Sequence, residues 1–151
     1  MARLPYASQP QYAELIRQCG LPENTPAANA FRMLAHAPTV GAATLRLVFA
    51  LLTETDLDPK LRELVILRVS HRCNGRYAWV QHVAVAGPFG VTDTQIAALE
   101  RGERPAILFN DRERAAFAFA DEVVDSCCAA EDTFATVRKL FSPRRSWNCR
   151  C

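Results

Sequence analysis

The sequence lacks several signatures that would assign a function at once. Six cysteines are present among 151 residues, yet none forms a Cys-x-x-Cys redox motif. A glycine-rich phosphate loop, a serine in a nucleophile-elbow context and an apolar run of the roughly 20 residues that span a bilayer are also missing. The net charge is only +2, which gives no strong field for nucleic acid or an anionic membrane. We therefore expect a cytoplasmic protein that binds neither.

Helical periodicity dominates what is present, and no segment alternates as a strand would. Asp58 and Pro59 are typical of a helix N-cap and its first position, and Thr92-x-x-Gln95 and Asn110-x-x-Glu113 are capping boxes. The sequence therefore predicts an all-α, compact helical bundle. We expect a proline-rich N-terminal arm over residues 1–26, a helical domain over 27–141 and an atypical tail over 142–151. The expected helices cover about 11–18, 30–34, 40–52, 59–71, 75–86, 92–99, 115–128 and 131–141.

The cysteines suggest free thiols rather than bridges, since disulfides are rare in a reducing cytosol. Cys127 and Cys128 are interpreted as small buried hydrophobic residues. His71, Cys73 and His82 lack a fourth ligand at the usual zinc spacing. We therefore predict no metal site.

Residues 61–86 contain the side chains with the most chemical interest. Glu63 lies in an otherwise apolar helix, where a buried carboxylate costs several kcal/mol unless it is paired. It is either exposed, paired with Arg62 or Arg68, or held for a purpose. His82 shares a helix face with small residues, which would leave room beside its ring. It is either a general acid or base, or a core histidine bound to a backbone carbonyl.

Two aromatic residues and two arginines complete this candidate site. Tyr77 and Trp79 either line a pocket with their polar tips or pack in the core. Arg68 or Arg72 is a candidate to hold a substrate carboxylate.

The same stretch resembles the carboxymuconolactone decarboxylase family. The resemblance covers roughly residues 25–141, and the residues that carry it are Arg62-Glu63-Leu64, Tyr77-Ala78-Trp79-Val80-Gln81-His82 and Gly90-Val91. It implies an alkylhydroperoxidase D-like fold and a homo-oligomer. It also implies one of two chemistries: cofactor-free decarboxylation of 4-carboxymuconolactone, or peroxide reduction by a Cys-x-x-Cys pair that a glutamate and a histidine assist.

The peroxidase pattern, placed on this sequence, puts its two cysteines at Gly75 and Ala78, so both thiols are absent, while Glu63 and His82 occupy the acid and base positions. The resemblance therefore favours a cofactor-free acid/base lyase on a small lactone or carboxylated substrate. In that interpretation His82 and Glu63 are catalytic.

The remaining residue assignments follow from the same interpretation. Tyr77, Trp79 and His36 would shape the substrate pocket. One alternative is a thiol oxidoreductase with peroxiredoxin-type activity that uses Cys73 as its redox thiol. A second alternative is a non-catalytic oligomeric accessory protein.

The tail departs from the family pattern. Phe141 to Arg144 resembles the start of one more helix, but the residues that follow are polar and lack helical periodicity. We interpret residues 142–151 as a truncated or frame-shifted tail.

Overall fold

The computed structural model describes residues 4–141, and this part of the chain contains eight α-helices and no strand. The all-α prediction is thereby confirmed for these residues. The helices are α1 (Gln9–Cys19), α2 (Asn29–Leu34), α3 (Pro38–Thr53), α4 (Pro59–Arg72), α5 (Arg76–Ala86), α6 (Asp93–Glu100), α7 (Asp111–Ser126) and α8 (Glu131–Leu140), with a short 3-10 helix at Gly87–Phe89. The predicted tail lies outside the described residues.

The described chain divides after residue 55 into two compact units, while the predicted boundary between arm and domain stays a prediction. In the first unit α1 and α2 both pack on α3. Tyr12, Leu15 and Leu45 lie in its apolar core, and the Tyr12 hydroxyl donates to the Pro26 carbonyl at 2.8 Å. Gly41 allows α2 and α3 to approach closely, because a Cβ there would lie 2.4 Å from the Leu34 carbonyl oxygen.

The second unit is organised around α4, which packs against α5, α6 and α7. The Asp58 carboxylate accepts a hydrogen bond from the Leu61 amide at 2.9 Å and caps the helix as predicted. Leu64 and Leu67 are fully buried, and burial of each contributes roughly 1.5–3 kcal/mol. Because α4 has neighbours on several sides, even its polar residue Glu63 is buried.

Arg68 joins α4 to α7 through a buried ion pair. Its guanidinium makes two hydrogen bonds to the Asp121 carboxylate, at 2.8 and 3.0 Å, and a third to the Gly102 carbonyl at 3.1 Å. Arg104 approaches the same carboxylate at 2.7 Å. Arg72 donates a hydrogen bond to the Asp125 carboxylate, and this hydrogen bond raises the pKa of the Arg72 guanidinium.

Both predicted capping boxes are present, at Thr92 with Gln95 and at Asn110 with Glu113. The Glu113 carboxylate also forms an ion pair with the Lys60 ammonium group at 3.2 Å, which links the start of α7 to the start of α4. The hydrogen bonds of the two capping boxes satisfy backbone amides that would otherwise be unpaired at the helix N-termini.

Two predicted helix boundaries were wrong. Pro38 opens α3 instead of preceding it, since proline fits the first helical position. The helix expected over residues 115–128 begins at Asp111 and ends at Ser126, where Cys127 turns the chain with a φ of 57°.

The interpretation of Cys127 and Cys128 as buried was also wrong. Because α7 stops before them, both are exposed. Their thiols therefore lie at the surface of the second unit and not in its core.

Among residues 4–141, the structure contains no helix that is both long enough and apolar enough to cross a membrane.

Replacing Asp121 with Asn should lower the free energy of unfolding by about 3 kcal/mol, because the Arg68 guanidinium would stay buried without its charged partner. Urea denaturation followed by far-UV circular dichroism measures this change. The control is Asp111→Asn, which removes an exposed partner of Arg114 and should cost less than about 1 kcal/mol. Equal losses in the two variants would contradict the importance of the buried pair.

Candidate active site

Glu63 and His82 meet where α4 and α5 run side by side. The turn between these helices contains Asn74 with a φ of 51°, a conformation that asparagine tolerates better than most residues. The Gly75 amide closes the turn by donating to the Ser70 carbonyl at 2.7 Å. As a result, His82 Nδ1 lies 2.7 Å from Glu63 Oε2.

Glu63 is a buried carboxylate whose two oxygens both have partners. Its exposed fraction is 2%. Oε2 faces His82, and Oε1 accepts a hydrogen bond from Arg62 Nε at 3.2 Å. The desolvation of a buried carboxylate is offset only by such charged or hydrogen-bonding neighbours. Of the two arginines that the sequence offered as partners, the structure places Arg62 at Glu63 and Arg68 at Asp121.

Phe89 covers the Arg62 guanidinium. The Arg62 Cζ atom lies 5.2 Å from the centre of the Phe89 ring, within the range of a cation–π contact. The Arg62 side chain is 11% exposed. Sequence reasoning missed Phe89, and the available signal was its position in the turn that directly follows α5.

His82 presents two different environments to its two ring nitrogens. Nδ1 is held by Glu63, which as a carboxylate can only accept a hydrogen bond. Nε2 makes no hydrogen bond to any residue within 4–141, and the side chain is 26% exposed. Fixing one nitrogen defines the tautomer and leaves Nε2 to exchange a proton with a bound molecule. The arrangement suits general acid/base chemistry.

The other predicted site residues lie in varied surroundings. Tyr77 is 45% exposed on α5. Trp79 is half-buried, packs on the apolar core of the second unit and makes an edge contact with the His71 ring at 6.3 Å. His36 belongs to the first unit, where its Nε2 lies 2.8 Å from the Pro5 carbonyl oxygen. Their roles in a pocket stay predictions.

Two arginines form ion pairs with protein carboxylates. Arg68 is 5% exposed and engaged by Asp121, and Arg72 pairs with Asp125. The suggestion that Arg68 holds a substrate carboxylate was therefore wrong, because its buried guanidinium already faces Asp121. The same suggestion for Arg72, whose side chain is 36% exposed, stays a prediction.

The grooves described on α7 and α8 are not lined by Glu63 or His82. Across the described residues, no group of three or more His, Cys, Asp or Glu side chains is arranged to hold a metal ion. A groove of about 670 Å³ is lined by residues of α7 and α8 together with Arg104. A smaller groove of about 370 Å³ lies along α7 and α8 near Cys127 and Cys128.

The tautomers of the histidines test the geometry of the dyad. At a pH where the rings are neutral, we expect the His82 proton on Nδ1, because Glu63 accepts there, and the His36 proton on Nε2, because the Pro5 carbonyl accepts there. Long-range ¹⁵N–¹H correlation spectra distinguish the two forms. Glu63→Gln should weaken the preference at His82 and leave His36 unchanged. An unaltered His82 spectrum in that variant would argue against the contact.

Comparison with known proteins identifies the family. The model of the carboxymuconolactone decarboxylase family matches residues 38–122, which is more than half of the chain and includes both members of the dyad. No curated protein and no solved structure matches the chain. The helical fold agrees with the resemblance seen in the sequence, and the chain belongs to the carboxymuconolactone decarboxylase family.

Proposed function

We propose that the protein is a cofactor-free lyase that removes CO2 from a small lactone or carboxylated substrate, with His82 as the acid/base group. The observation that carries this proposal is the 2.7 Å contact between a half-buried histidine and a buried, ion-paired glutamate. Such a contact orients the ring and leaves one nitrogen for the substrate. Membership of the carboxymuconolactone decarboxylase family is compatible with this reaction class, and the absence of a Cys-x-x-Cys pair from the sequence favours it over peroxide reduction.

The reaction breaks the bond between the substrate carbon and its carboxylate. CO2 leaves, and the electron pair of that bond stays on the substrate, where a carbonyl in conjugation with that carbon delocalises it as an enolate. Protonated His82 stabilises this developing negative charge and then donates its Nε2 proton to the substrate. Solvent returns the proton to the ring. Glu63 holds Nδ1 throughout and compensates the charge of the protonated ring.

The thiol alternative has less support from the placement of Cys73. This residue is exposed and follows the last residue of α4. It lies ten residues after Glu63 on the same helical axis, which corresponds to about 15 Å. Cys73 is therefore poorly placed to react together with Glu63 and His82.

The expected partners are a small-molecule substrate and further copies of the chain, and both stay predictions. The exposed apolar side chains of α5, which include Tyr77, Val80 and Val85, are compatible with self-association, since α5 is a largely apolar helix with Ala86 as its one buried residue.

Release of CO2 from 4-carboxymuconolactone and related lactone acids tests the proposal. We expect His82→Ala to lower the rate at least about 100-fold, the usual effect of losing a general acid or base. Glu63→Gln should give an intermediate rate, because the ring remains but loses its charged partner. The matched control is Gln81→Ala, which removes an exposed neighbour on the same helix and should leave the rate unchanged.

Three other outcomes would count against the proposal. A folded parent that releases no CO2 from the panel would exclude decarboxylation of those substrates. Peroxide-dependent oxidation of Cys73 that disappears in Cys73→Ser would support the thiol alternative. The absence of both activities, with no thermal stabilisation by any lactone acid, would support a non-catalytic accessory role.

A further inference from the structure

The turn after α7 presents two adjacent thiols at the surface of the second unit. Cys127 and Cys128 are both free and exposed. Cys127 adopts a φ of 57°, and its amide donates to the Val123 carbonyl at 2.9 Å, so the chain leaves the helix at this residue. Neither cysteine belongs to the Glu63–His82 dyad.

Hydrogen bonds hold this turn on both sides of the cysteines. Glu122 accepts from the Ala130 amide at 2.8 Å and from the Thr133 hydroxyl at 2.7 Å. The Ser126 hydroxyl lies 2.8 Å from the Glu122 carbonyl oxygen and 2.9 Å from that of Cys128. The backbone that carries the thiols is thus fixed by contacts from α7 and α8. Because the turn is already ordered, less conformational entropy is lost when a ligand binds there.

An apolar groove adjoins the thiols. It has a volume of about 370 Å³, and both cysteines line it. Phe119 and Val123 from α7 and Phe134 from α8 form apolar walls, and Glu131 is the single charged residue in the lining. A ligand that binds sulfur and carries an apolar substituent would find complementary surfaces for both of its parts.

We propose that Cys127 and Cys128 form a dithiol site that captures a trivalent organoarsenical with an apolar substituent. In the reaction, an arsenic–oxygen double bond is replaced by two arsenic–sulfur bonds. The two thiol protons leave with the oxygen as one molecule of water, and the oxidation state of arsenic does not change. Soft sulfur ligands favour such soft, thiophilic centres over hard cations.

The pairing of the thiols distinguishes this site from the other described cysteines. Once one sulfur has bound, the second lies on the adjacent residue, and such a linked pair exceeds a single site by about 100-fold or more in affinity. Cys73 is exposed but has no cysteine adjacent to it in sequence. Cys19 is buried, and that burial raises the pKa of its thiol, which disfavours the reactive thiolate.

Binding of phenylarsine oxide tests the site. The starting protein carries Cys149→Ser and Cys151→Ser, since those two cysteines are also close together in sequence. We expect one arsenic per chain in intact mass spectra, retained through washing with an excess of a monothiol and released by a dithiol. Cys128→Ser should lower the retained fraction by about 100-fold, whereas the control Cys73→Ser should not change it.

Cys127→Asn provides a second variant, because asparagine tolerates the positive φ at this position. It should lose the retained arsenic while its circular dichroism matches the parent. Retention equal to the parent in both folded single variants, or none in the starting protein, would overturn the proposal.

The size of the substituent tests the groove. A phenyl arsenical should be retained about tenfold longer than a methyl arsenical, because a further 1.4 kcal/mol of apolar contact corresponds to that factor. Equal retention of the two compounds would contradict the contribution of the apolar walls.

Discussion

The candidate site depends on pairing a carboxyl group in a place that water barely reaches. Glu63 is 2% exposed, and its two oxygens are met by Arg62 and His82. The arginine supplies a permanent positive charge, which offsets part of the cost of burying the carboxylate. Phe89 covers the arginine and limits its access to solvent. A continuous series of contacts thus links the Phe89 ring, which lies outside α5, to His82.

Local signals predicted much of the fold. Asp58 with Pro59, and the boxes opened by Thr92 and Asn110, place the starts of three helices because capping is decided within a few residues. The family resemblance suggested that Glu63 and His82 act together, and the structure shows that the contact is between Oε2 of Glu63 and Nδ1 of His82. The dyad was therefore anticipated in its residues but not in its geometry.

Contacts between distant residues were beyond prediction from the sequence. Arg68 pairs with Asp121, which is 53 residues away in the sequence. Because helical periodicity does not predict such a distant partner, Arg68 was wrongly predicted to bind the substrate. Cys127 and Cys128 continue an apolar helical pattern, and their exposure follows from one backbone angle at Cys127. Both errors arose because the helical pattern of a sequence shows only which residues share a helix face. The tertiary structure decides whether that face contacts solvent or another part of the protein.

The short sequence separation within the dyad has a consequence for how the molecule acquires its site. Glu63 and His82 are 19 residues apart on consecutive helices, whereas Arg68 and Asp121 are 53 apart. Closing the longer loop costs about 0.9 kcal/mol more in chain entropy. The dyad therefore belongs to a low-contact-order hairpin of α4 and α5 that can assemble early in folding. The Arg68–Asp121 pair has the longer loop to close, and it holds α7 against the α4–α5 hairpin.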